Sequence, residues 1–142
     1  EWDIIGDGEE FEKIKCLVSE KGLENQLILK GRVNDASNLF HKYALFVLTS
    51  YREGLPLVLL EAKINHLPMV SFDIQTGPDE IIDKENGVLI PPYDCDRMAK
   101  AIEKIITDDS YRYILSRGTD NNIEKFSYSV IHRQWVQLLE EL

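Results

Sequence analysis

Two carboxylates, Glu53 and Glu61, separated by seven residues, are the groups in this chain whose types and spacing best suggest chemistry. Carboxylates so placed can accept hydrogen bonds from hydroxyl groups that a ligand brings. Glu61 follows the apolar run Leu57-Val58-Leu59-Leu60, with Leu57 four residues before it and Ile64 three after, so all three share one helical face. Such a run predicts a helix start buried on nearly every side. An unpaired ion there would cost roughly several kcal/mol, against about 1.5 to 3 kcal/mol returned by a hydrogen bond to a charged group. Glu61 then needs water, a cation or the hydroxyls of a ligand. Glu53 is followed by Gly54, whose bare Cα lets a backbone amide approach something closely. The spacing fits equally well a Glu61 on a solvated rim and a Glu53 that is an ordinary loop acid.

The elements that would position this pair are a strand and a helix. Residues 45–50, Leu-Phe-Val-Leu-Thr-Ser, form a short apolar and β-branched run suited to a strand covered on both faces. Pro56 is expected to open the helix, since the first helical position tolerates its missing N–H. A strand, a five-residue loop and a helix make a βα unit, and ligands of open α/β sheets sit at the carboxyl ends of the strands. Elsewhere, strands are expected over Trp2 to Ile5, Leu27 to Leu29, Met69 to Phe72 and Gly87 to Ile90. Helices are expected over Glu9 to Lys21, with Gly22 as its stop, over Asp35 to Tyr43, from an Asp94 cap through Ile106, over Tyr111 to Ser116, and after a Ser127 cap. Gly77 to Ile82 reads as one helical turn. The last helix carries Ile131, Trp135, Leu138, Leu139 and Leu142 at helical spacing, a stripe for core packing or for a part of the protein outside these residues. Strands alternating with helices give an α/β fold with a Rossmann-like, doubly wound parallel sheet.

The 142 residues amount to one domain, with no linker or repeat dividing it. Sixteen Lys and Arg against 25 Asp and Glu leave a net charge of −9, which argues against a nucleic-acid partner. Cys16 and Cys95 are far apart and form no C-x-x-C pair, the usage of a reduced, cytoplasmic protein. His41, His66 and His132 are too scattered to read as a ligand set, so no metal is expected.

Residues 50–62, with two glutamates seven residues apart and the first in an E-G-L-P loop, resemble the signature of retaining GT-B glycosyltransferases that use nucleotide sugars, the group 1 or family four type. Four further segments resemble that family in its order: Ile4-Ile5-Gly6-Asp7-Gly8, Leu29-Lys30-Gly31-Arg32-Val33, Thr76-Gly77-Pro78-Asp79-Glu80-Ile81-Ile82 and Asn86-Gly87-Val88-Leu89-Ile90. The resemblance implies the C-terminal, donor-binding half of a GT-B fold over residues 1–142, and transfer of a hexose from a nucleotide-diphospho-sugar to a glycan or lipid-linked acceptor. It implies a catalytic Glu53 against the transferred sugar and a Glu61 holding the ribose hydroxyls. Gly54, Leu55, Leu57 and Val58 would face sugar and phosphates, and Arg32 and Val33 the base. No cofactor or metal is implied. Thr76 departs from the family, which has a second glycine there and so a closer backbone approach.

The family's first βα unit, with its diphosphate-binding Arg and Lys, has no counterpart in these residues. The expectation is a piece of a longer protein, short of the strand between those of Ile4-Ile5 and Phe46-Val47 and of an N-terminal acceptor domain. Unpaired edges would then favour self-association, and the full enzyme would work in the cytoplasm or at a membrane surface. Alternatives are a sugar-nucleotide epimerase of GT-B architecture, a glycoside hydrolase with two acids flanking the bond, and a non-catalytic flavodoxin-like interaction module.

Overall fold

The computed structural model describes residues 1–141; Leu142, counted above in the last apolar stripe, lies outside them. The chain divides into two compact units, Glu1–Leu39 and the remainder from Phe40. Among the described residues five strands form two parallel sheets, β1-β2 in the first unit and β3-β4-β5 in the second. β1 and β3 thus each have one hydrogen-bonded neighbour.

In the first unit, β1 (Trp2–Ile5) and β2 (Leu27–Gly31) flank α1 (Phe11–Glu20), which packs on β2. The α1 stripe turns Val18 inward and leaves Leu17 exposed. Gly22, at φ +64°, ends the helix and donates its N–H to the Ser19 carbonyl at 3.0 Å, the left-handed stop that glycine adopts without cost.

The second unit is built on β4 (Met69–Phe72), buried at all four positions between β3 (Phe46–Leu48) and β5 (Gly87–Ile90). Side chains alternate across the sheet as the pleat requires. Met69 joins Leu59, Ala62, Ile81 and Ile82 in one core, beneath α2 (Leu57–Ile64) and α3 (Pro78–Ile81). Val70 and Phe72 join Ile90, Met98, Ile105 and Leu115 in another, beneath α4 (Cys95–Thr107) and α5 (Asp109–Gly118). Asp94 caps α4 through the Arg97 N–H at 3.0 Å. Ser127 caps α6 (Tyr128–Glu140) through the Val130 N–H at 3.4 Å. No residue of α6 is buried, so its apolar stripe, Trp135, Leu138 and Leu139 included, enters neither core among the described residues. A 3-10 turn spans Ala36–Lys42 where a short helix was expected, with Phe40 buried as anticipated. No helix among the described residues is long and apolar enough to cross a membrane.

Two expectations for α2 fail. Pro56 is the residue before the helix, at φ −73° and ψ 92°, rather than its first residue. The helix is also not buried all round. Leu59, Ala62 and Lys63 point inward, while Leu57 and Ile64 are 65% and 64% exposed and Glu61 is exposed with them. The charged group that is buried is Lys63, at 2% exposure. Its ammonium donates to the Ile81 carbonyl at 3.4 Å, which also accepts from Asn86 Nδ2 at 3.1 Å, and Lys125 donates to the Glu80 carbonyl at 2.5 Å. The carboxyl end of α3, where the helix dipole is negative, is thereby held by two cations and an amide.

Burial pushes the Lys63 ammonium below the ordinary lysine range, an effect that Asp83 and Glu124 counter and Lys125 reinforces. The folded state therefore binds this proton less tightly than the unfolded chain does. The resulting penalty is complete below the folded pKa and fades as pH rises through it toward the ordinary lysine value of 10.5. Lys63→Met removes the ion and leaves Ile81 its Asn86 donor. It is expected to stabilise the fold by about 1 kcal/mol at neutral pH, a gain that shrinks as thermal melts are repeated toward pH 10. Gly77, at φ +100°, packs so tightly that a Cβ would collide with the Gly54 carbonyl and lie 2.6 Å from the Pro56 ring. Gly77→Ala is expected to cost about 2 kcal/mol or more in chemical denaturation.

Candidate functional site

β3, β4 and β5 are parallel, so the loops that leave them emerge along one edge of the sheet. β3 ends at Leu48 and α2 starts at Leu57, and the intervening loop carries Glu53 and Gly54. Glu53 is half-buried, and its backbone carbonyl accepts from the Thr76 hydroxyl at 2.7 Å. A Cβ on Gly54 would meet open space, so the close approach at this glycine is made by its carbonyl, against Gly77. The close backbone contact in this turn is made by Gly77, and its partner is the neighbouring loop.

Leu57 and Val58 open α2, and Pro56 has no side chain with which to cap their N–H groups. That end of the helix combines unpaired donors with the positive end of the dipole, the arrangement that receives anions. Leu55, Leu57 and Glu61 are exposed and Val58 is half-buried. Glu61 thus does not sit in a greasy interior that a ligand must relieve. Leu57 and Ile64, its companions on the helix face, are exposed to solvent, and the burial argument for a ligand falls. What remains is an exposed carboxylate one turn into a helix that starts at the strand tips, open to whatever approaches. The structure brings Glu53, Gly54, Leu55, Leu57, Val58 and Glu61 together on one loop and helix. Arg32, exposed, and Val33, half-buried, follow β2 in the other unit.

A row of rings went unnoticed in the sequence. Tyr51 stacks on Phe72, with centroids 5.8 Å apart, and on Tyr93, at 4.6 Å. Tyr93 holds a left-handed φ of 68°, which a bulky residue adopts only when its surroundings compensate. The signal was present: the three aromatics stand at or just beyond the carboxyl ends of β3, β4 and β5. Among the described residues no three His, Cys, Asp or Glu side chains gather into a possible cation site.

The Glycosyl transferases group 1 family matches residues 2–123. An exopolysaccharide phosphotransferase of Streptomyces coelicolor is 34% identical over 98% of this chain and 15% of its own length. The poly(ribitol-phosphate) alpha-N-acetylglucosaminyltransferase of Staphylococcus aureus is 34% identical over 95% of the chain and 28% of its own length. A crystal structure of a Staphylococcus aureus TarM mutant with UDP, fondaparinux and alpha-GlcNAc-glycerol superposes with a TM-score of 0.88 at 33% identity, over 96% of this chain and 28% of that one. The chain spans 15 to 40% of the length of such curated relatives. With its α/β architecture of parallel sheets, matching the C-terminal half of GT-B enzymes, and its Glu53 loop at the strand tips, the chain belongs to the group 1 glycosyltransferases.

Proposed function

We propose that the full protein is a retaining glycosyltransferase and that this chain is its donor-binding half, moving a hexose from a nucleotide-diphospho-sugar to a glycan or lipid-linked acceptor. The observation that carries the reading is the uncapped start of α2, directly after the Glu53-Gly54 loop at the carboxyl edge of the sheet. The N–H groups of Leu57 and Val58 receive the donor diphosphate, whose charge grows as the glycosidic bond breaks. Glu53 lies against the transferred sugar and stabilises the positive charge that develops on its ring. Glu61 accepts from the ribose hydroxyls; its exposure leaves it free to do so. Leu55 and Gly54 line the sugar's approach, and no metal takes part.

The UDP held in the TarM crystal structure supports a uridine donor. Relatives named for polyol-phosphate acceptors support a cell-envelope polymer as the product. The acceptor binds an N-terminal domain, outside the part of the relatives that this chain matches. Strands from the rest of the protein cover the open edges of β1 and β3, which alone would favour self-association, and the uncovered apolar stripe of α6 packs against that domain. The exposed free thiols of Cys16 and Cys95 suit the cytoplasm, with the enzyme at a membrane surface if the acceptor is lipid-linked.

Calorimetric titration of the full protein with UDP, GDP and ADP tests the donor site, and binding of none of them would overturn the reading. Glu61→Gln is expected to weaken nucleotide binding about tenfold or more with an unchanged melting temperature. Glu53→Gln is expected to keep nucleotide affinity and to lower transfer at least about a hundredfold. An epimerised sugar nucleotide, formed without acceptor, would favour the epimerase.

A further inference from the structure

β3 and β4 pair with a constant offset of 23 residues, Phe46 against Met69, Val47 against Val70 and Leu48 against Ser71. Strand pairing ends there, but the offset does not. The Thr76 hydroxyl bonds the Glu53 carbonyl at 2.7 Å, again 23 residues apart. Gly77 presses on the carbonyl of Gly54 at the same separation. The two loops therefore run side by side in the register of their strands, one residue pair hydrogen-bonded across them and the next in close steric contact. The second loop is itself anchored from behind, because the α3 carbonyls of Glu80 and Ile81 are held by Lys125, Lys63 and Asn86.

We propose that Thr76 is a positioning residue for Glu53: its hydroxyl fixes the backbone from which the Glu53 carboxylate projects and so sets that carboxylate against the sugar. The inference rests on the role given to Glu53 above. The Gly77 contact limits how near the loops can come, and being steric it does not prevent them from parting. The Thr76 hydrogen bond is directional and prevents that separation. A glycine at position 76 could not make it, so the side chain at this position tethers the loop as well as filling space. Placement matters this much because a displacement of about 1 Å at a reacting group can cost about a hundredfold in rate.

The test uses the full protein and compares Thr76→Val, which keeps the shape and loses the donor, with Thr76→Ser, which keeps the donor. Thr76→Val is expected to lower kcat about three- to tenfold, with KM for the sugar nucleotide within about twofold of the parent and the melting temperature unchanged, while Thr76→Ser retains the parent kcat. In a Glu53→Gln background, where the carboxylate is gone, Thr76→Val is expected to have no further effect on kcat, a non-additivity that a merely structural role would not produce. An unchanged kcat in Thr76→Val, or the same loss in both backgrounds, would overturn the inference. A parent that binds nucleotide sugar but shows no loss on Glu53→Gln would instead overturn the role of Glu53, and this inference with it.

Discussion

The constraint on which the second unit depends is the complete burial of β4. A strand with neighbours on both edges and helices on both faces leaves none of its residues free to move outward, and every side chain must be apolar or satisfied internally. Met69, Val70 and Phe72 meet the first condition, and Ser71 meets the second by donating to the Phe72 carbonyl at 3.1 Å. With β4 immobile, the register of β3 on one side and of β5 on the other follows from the ladder, and so does the height at which each carboxyl-end loop leaves the sheet. The loop after β3 inherits its position from a strand that carries none of the proposed site residues.

The elements governed by hydrophobic period and caps were legible in the sequence. Met69 to Phe72 and Gly87 to Ile90 are strands at those bounds, because a short apolar run between turn residues has few other ways to bury itself. Asp94 and Ser127 cap their helices, because a side-chain oxygen at a helix start has a nearby N–H to satisfy. The orientation of α2 was not legible. Leu57 to Leu60 are apolar at every step, and such a run cannot say which of its residues face inward. Apolar character was read as burial all round, and Glu61 as an ion in a greasy setting. The sheet instead takes Leu59, Ala62 and Lys63, and Glu61 turns to solvent with Leu57 and Ile64.

The inversion has a physical cause. Lysine is a long aliphatic chain with a terminal ion, so it can fill a core position if its head reaches acceptors. The carbonyls at the end of α3 supply one. Glutamate is shorter and can only accept, and the carboxyl end of a helix is the wrong place to look for donors. That α3 would end within reach of Lys63 is a long-range fact, absent from the sequence around either residue. The same holds for the site. The two-glutamate pattern and its loop could be read directly, but the pairing of Thr76 with Glu53 and of Gly77 with Gly54 appears only once the β3–β4 register is known.

A loop at the tip of a parallel sheet faces a specific difficulty. Its backbone groups have left the ladder, yet it must hold a side chain steady while remaining open to a ligand. Solvent would satisfy those groups without fixing their position, and a covering element would fix them but close the site. Continuing the strand register through paired loops resolves both demands, because the loops supply partners for each other edge to edge and leave the outward direction empty. The rigid parts of this unit are accordingly the contacts along the sheet plane, between the loops after β3 and β4. Leu55, Leu57 and Glu61, on the loop and helix that follow β3, are the open parts. Exposed apolar side chains beside an acid, which would be a liability on an inert surface, fit the donor site proposed for this edge of the sheet.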